Sequence, residues 1–214
     1  MGISIKKFTF NPFQENTYIV HDEESCVIID PGCYEKEEQN VLAAYISENG
    51  LVPKALLLTH AHIDHILGCS FVLSKYSVDF HMHKSDMETL LSVSGYAHLY
   101  GFPGYTPPGE PNKFLEDGQQ LKFGNIEFDV RFTPGHAPGH VVFYNQESKS
   151  VINGDVLFQG SFGRVDLPGG DLETLKESIH KVMFQFPEDT IVYCGHGPET
   201  TIGIEKRSNY ILQH

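Results

Sequence analysis

Within the seven residues Thr59-His60-Ala61-His62-Ile63-Asp64-His65, this chain places three histidines and one aspartate. They follow the apolar run Ala55 to Leu58, which reads as a strand buried on both faces. The fold must therefore accommodate four ionisable groups at the end of a core strand, and every buried polar side chain needs a partner. Imidazole and carboxylate without thiolate form a donor set for Zn²⁺, Fe²⁺ or Mn²⁺. The spacing is not that of a closed structural site, which typically uses cysteines.

Three later segments also end an apolar run with glycine and a ligand-type residue: Gly135-His136, Gly154-Asp155 and Gly195-His196. Glycine there lets the backbone turn sharply and approach an ion closely. The candidates are then His60, His62, Asp64, His65, His136, Asp155 and His196. One tetrahedral site uses about four ligands, so this set suits two divalent metals sharing one carboxylate.

Alternation and turn signals predict strands at Ile3 to Phe10, Asn16 to Val20, Cys26 to Ile29 and Ala55 to Thr59. Further strands are predicted at 121–123 and 126–132, a hairpin about Gly124-Asn125, and at Val141 to Tyr144, Val151 to Asn153 and Thr190 to Cys194. Helices are expected over about Glu35 to Asn49, after His65, near Lys84 to Leu91, from the N-cap Asp171 to about Phe184, and over Ile202 to Leu212. Strands followed by helices in both halves predict an α+β sandwich of two inner sheets under outer helices, with 1–214 as one domain. Residues 92–112 hold Gly95, Gly101, Gly104 and Gly109, four prolines, and Tyr96, Tyr100, Phe102 and Tyr105. They read as a turn-rich surface loop or as a lid whose aromatics, Tyr105 among them, wall a substrate pocket.

Composition narrows the function classes. Fifteen Lys and Arg against 28 Asp and Glu give −13, which argues against nucleic-acid or anionic-membrane partners. No apolar run is long enough to span a bilayer, and the N-terminus has no signal-peptide core. Cys26, Cys33, Cys69 and Cys194 form no CxxC pair, which suits a reducing cytoplasmic setting. His81 and His83 share a strand face, but no third ligand joins them, so they read as structural.

The segments VIIDPG (27–32), LLLTHAHIDHILG (56–68), TPGHAPGHVVF (133–143), GDVLFQGSFGRVDLPGGD (154–171) and YCGHGPET (193–200) resemble the metallo-β-lactamase superfamily. The likeness is greatest to short glyoxalase-II-like (hydroxyacylglutathione hydrolase-like) metallohydrolases. The resemblance implies an αββα metallo-β-lactamase fold with metals at the edge between the sheets. It assigns His60, His62 and His136 to one metal, Asp64, His65 and His196 to a second, and Asp155 to both; Asp30 steadies the metal loops. His140 reads as a supporting partner of the centre or as a core histidine. Zinc is the expected ion, with iron or manganese as alternatives. Lactamases proper usually lack the bridging aspartate, so Asp155 counts against antibiotic hydrolysis.

Thioester hydrolysis of the S-lactoylglutathione type is the leading expectation. A water between two ions, its pKa lowered to about 7, attacks the carbonyl, with Asp64 and Asp155 holding the catalytic metals. A thiolate leaves without a dedicated acid. Only 214 − 196 = 18 residues follow His196, too few for the helical domain that grips glutathione in longer relatives. Arg164 is a candidate carboxylate anchor or a partner of Asp166. Its GR-x-D setting also resembles mononuclear-iron persulfide dioxygenases, in which His60, His136 and Asp155 are the matching triad. A non-catalytic metal-binding module is the third reading.

Overall fold

Side chains of the strand β4 (Val52–Leu57) alternate between two layers. Ala55 and Leu57 enter a core shared with Val27, Ile29, Ile126, Phe143 and Ile152, while Leu56 and Leu58 face a core shared with Leu42, Val72, Leu90 and Val93. A strand sorted in this way must be covered on both sides. The computed structural model, which describes residues 2–214, covers it with a second sheet on one face and helices on the other.

The first sheet runs in chain order: β1 (Ser4–Phe10), β2 (Glu15–His21), β3 (Ser25–Ile29), β4, β5 (Asp79–His83) and β6 (Lys113–Leu115). Its first three strands are antiparallel and the remainder join in parallel. The second contains β7 (Gln120–Phe123), β8 (Ile126–Phe132), β9 (Val141–Asn145) and β10 (Ser150–Gly154). A separate hairpin, β11 (Leu157–Phe158) and β12 (Ser161–Phe162), precedes β13 (Ile191–Cys194) and β14 (Thr200–Thr201), which complete the order β14-β13-β10-β9-β8-β7.

Helices α1 (Lys36–Glu48), α3 (Cys69–Tyr76) and α4 (Met87–Tyr96) cover the first sheet, through Leu42 and Ile46, Val72, and Leu90 and Val93. Helices α5 (Leu172–Lys181) and α6 (Ile202–Ser208) cover the second, through Leu175, Ile179 and Ile202. The αββα sandwich is thus present. Asp171 caps α5 by accepting the Thr174 N–H at 2.8 Å, as its sequence predicts. Among the described residues, no helix is long and apolar enough to cross a membrane.

Three expectations need correction. The turn-rich segment begins at Gly101 rather than 92, because α4 runs to Tyr96 and a 3₁₀ turn continues over Ala97–Tyr100. Gly95 is tolerated inside α4, and Val93 and Ala97 bury that stretch. The helix expected after His65 is in fact two: the short α2 (Ile63–Ile66), which itself carries Asp64 and His65, and α3. The last helix stops at Ser208, where the Asn209 side chain turns away to hold the Phe158 and Ser161 carbonyls.

Candidate metal centre

Four chain segments deliver the candidate ligands to one edge of the sandwich. The first leaves β4 after Leu57, places His60 and His62, and starts α2, which sets Asp64 and His65. The others are the ends of β8, β10 and β13, carrying His136, Asp155 and His196. Close approach requires glycine at 195, where a Cβ would overlap Asp155 Oδ1. Gly154 holds φ at +51° against Thr59, which leaves no room for a side chain.

Two groups of candidate ligand atoms stand apart, and a third, Asp30, His60 and His65, shares a member with each. His60, His62 and His136 bring one nitrogen each within 4.8 Å of one another, and Asp64, His65 and His196 do the same with their own atoms. His62 Nδ1 faces His136 Nε2 at 2.8 Å, and His196 Nε2 is 3.1 Å from Asp64 Oδ2. Asp155 lies between the clusters: Oδ2 is 3.6 Å from His136 Nε2 and 3.5 Å from His196 Nε2, and Oδ1 is 3.6 Å from His65 Nε2. Among the described residues His60 Nε2, His65 Nε2 and Asp155 Oδ1 are buried with no hydrogen-bond partner. Such atoms are costly unless something else satisfies them, and a divalent cation does so with this donor set.

The electrostatics of the first cluster fit the same occupant. Burial, with the neighbouring histidines, pushes His60, His62 and His136 below the usual imidazole range, His62 to about 3. These rings are therefore neutral, as ligation requires. Burial opposes ionisation of Asp64 and Asp155, yet His65 and its neighbours overcome it and hold both carboxyls below their ordinary value. His65 and His196 are raised, because the carboxylates beside them outweigh burial.

The far edges of the rings are anchored. Asp30, at φ +49°, accepts the Thr59 N–H at 2.7 Å and the Thr59 hydroxyl at 2.5 Å, and lies 3.2 Å from His65 Nδ1. His140 Nε2 accepts the Asp155 N–H at 3.1 Å, and its ring stacks on His60. Both supporting residues thus touch the ligand set.

Arg164 acts here through its backbone, whose carbonyl accepts from His136 Nδ1 at 2.7 Å. Its guanidinium makes two 2.7 Å bonds to Asp166. Tyr105 is not brought to the ligands: it packs on the first core, lining a hollow with Tyr34, Leu67 and Phe71. His81 meets Phe123 edge to face, His83 stacks on Phe132, and among the described residues the pair gathers no further ligand.

Two buried carboxylates carry no motif in the sequence. Asp86 accepts the N–H of Ala61 at 2.7 Å and of Gly139 at 2.8 Å, joining the loops of His60, His62 and His136; burial raises it to about 6. Glu15 lies 3.9 Å from His65 Nδ1, on the side of the ring that also faces Asp30, and burial raises its carboxyl. Neither residue sits near the motifs in the chain, and only the fold brings them there.

The sequence profile of the metallo-beta-lactamase superfamily matches residues 10–196. The chain belongs to the metallo-beta-lactamase superfamily. Within it, the chain is 37% identical to the hydroxyacylglutathione hydrolase GloC of Haemophilus influenzae over 98% of both sequences. The crystal structure of BLEG-1, described as a B3 metallo-beta-lactamase, superposes with a TM-score of 0.89 at 38% identity, covering 99% of this chain and 100% of the other. That of TTHA1623 in a di-iron-bound form gives 0.86 at 40%, covering 96% and 98%. Superfamily membership implies divalent-metal binding, and the histidine clusters provide the donors.

Proposed function

We propose that this chain is a metal-dependent thioesterase of the glyoxalase II type, acting on a small S-acyl thiol. In this reading His60, His62 and His136 hold one divalent ion, Asp64, His65 and His196 hold a second, and Asp155 serves both; zinc is the proposed metal. The observation that carries it is the position of Asp155, whose two oxygens lie 3.5–3.6 Å from ring nitrogens of both clusters. Such ions, when bound, polarise a carbonyl oxygen and acidify water to a pKa of about 7. The chain supplies the rest. Burial keeps the His60, His62 and His136 rings neutral and their lone pairs free. Asp30 orients His65 from its Nδ1 edge, and the Arg164 carbonyl orients His136 in the same way. A thiol leaving group with a pKa of about 8.5 departs as thiolate, so the site needs no separate acid.

The test is metal content by mass spectrometry on protein purified without added metal or chelator, with turnover of S-lactoylglutathione, a persulfide and a β-lactam. About two ions per chain and thioester hydrolysis support the proposal. One iron with O₂ consumption on the persulfide overturns it in favour of a dioxygenase. Preferential β-lactam turnover points to lactamase activity, and metal without any turnover to a binding module.

A further inference from the structure

The turn between β1 and β2 is fastened to the candidate centre at two points. Asn11 Nδ2 donates to the carbonyls of Gly32 at 3.1 Å and Asp64 at 3.0 Å, and the Phe13 carbonyl accepts from His196 Nδ1 at 3.1 Å. Asn11 and Gln14 both adopt positive φ, 50° and 57°, and the Phe13 N–H returns to Asn11 Oδ1 at 3.0 Å. A turn held in this way fixes where its central side chain goes. Phe13 remains 40% exposed although it is bound through its backbone to a candidate ligand.

Its ring rests on a second aromatic group. Phe13 lies 6.0 Å from buried Phe102 and 6.2 Å from Tyr100, which is 54% exposed and 5.5 Å from Tyr96. The Phe13 carbonyl on His196 Nδ1 brings this aromatic group to the second cluster. The two cations tied to the ligand loops are already neutralised: Arg164 by Asp166, and Lys7 by Glu199 at 2.7 Å and the Gly197 carbonyl. An anionic carrier such as glutathione needs cations to replace its hydration, whereas exposed aromatic faces favour an apolar ring.

We infer that Phe13 and Tyr100 form a specificity wall beside the metal centre, selecting an acyl-thiol that presents an uncharged apolar or aromatic group rather than an anionic carrier. The substrate half of this inference rests on the thioesterase reading; the wall itself rests on geometry.

The zinc-loaded full chain is assayed on S-acetylglutathione, the acetyl thioester of benzyl mercaptan and the benzoyl thioester of N-acetylcysteamine. Both aromatic thioesters exceed S-acetylglutathione at least tenfold in kcat/KM. Phe13→Ala and Tyr100→Ala each cut that ratio at least fivefold, mainly through KM, and Phe13→Leu keeps most of it. A wild-type ratio near one, or a ratio unmoved by Phe13→Ala, overturns the inference. Should no thioester be turned over, the thioesterase reading fails, and the wall is read by calorimetric titration with N-acetyl-S-benzylcysteamine, a thioether that cannot be hydrolysed. A Kd at least fivefold weaker in Phe13→Ala than in wild type upholds the wall, and equal Kd values remove it.

Discussion

Asp86 is bonded to Ala61 at 2.7 Å, and Ala61 is the residue between His60 and His62. The other oxygen of the same carboxylate holds Gly139, three residues beyond His136. One buried side chain thus sets the distance between the loops that carry the first ligand cluster. Asp86→Ala leaves two backbone donors without their acceptor, at a cost of about 1–3 kcal/mol each. Metal per chain is expected to fall from about two towards one, with a lower Tm. Two ions retained in the folded variant would show that the clamp does not position these ligands.

Asp155 lies within 3.6 Å of ring nitrogens of both clusters, so its removal acts on both. Asp155→Ala is expected to lose metal and to lower kcat at least a hundredfold, since Lewis-acid stabilisation is worth several kcal/mol. Metal analysis and thioester turnover on the same preparation check this. Full turnover with metal lost would contradict the mechanism.

Asp22 gives the fold a pH dependence far from the centre. It accepts N–H bonds from Ser25 at 2.7 Å, Asn125 at 3.0 Å and Glu24 at 2.8 Å, which hold its carboxyl at about 2. The folded value lies below the ordinary one, so the stabilisation is complete above about pH 4 and is lost as pH falls through about 2. Denaturant titrations of metal-free wild type and Asp22→Asn are expected to differ at pH 6 and to converge towards pH 2. A difference that stays constant with pH would remove this role.

Arg164 is held by Asp166 in a two-point pair. Asp166→Ala frees the guanidinium without touching the Arg164 carbonyl that supports His136. KM for S-acetylglutathione is expected to fall several-fold, and KM for the benzyl thioester to stay within twofold. An equal change on both substrates would show that Arg164 is no carboxylate anchor even when released.

The candidate ligands that the fold gathers were legible because each sits in a short local pattern near a strand end, from His60 to His65 and at Gly135-His136, Gly154-Asp155 and Gly195-His196. The sheets were legible because a continuous apolar run such as Ala55 to Leu58 needs cover on both faces, which the two cores supply. Asp86 and Glu15 left no such trace, since their role exists only once distant segments meet. Gly95 misled for a related reason: it reads as a break, but Val93 and Ala97 pack the helix through it. Tyr105 does line a hollow, but one it shares with Tyr34 and Phe71 on the flank of the first core.

The two ligand clusters are each divided between the halves of the chain. His60 and His62 come from the first sheet and need His136 from the second; Asp64 and His65 likewise need His196. Each of these two clusters draws on both halves, so an ion bound in either favours the state in which the sheets have docked. By mass action, free metal at a thousandfold excess over its Kd would add about 4 kcal/mol to that state. Ions held there would act as a latch across the interface, and a chelator is expected to lower the stability of the metal-loaded chain.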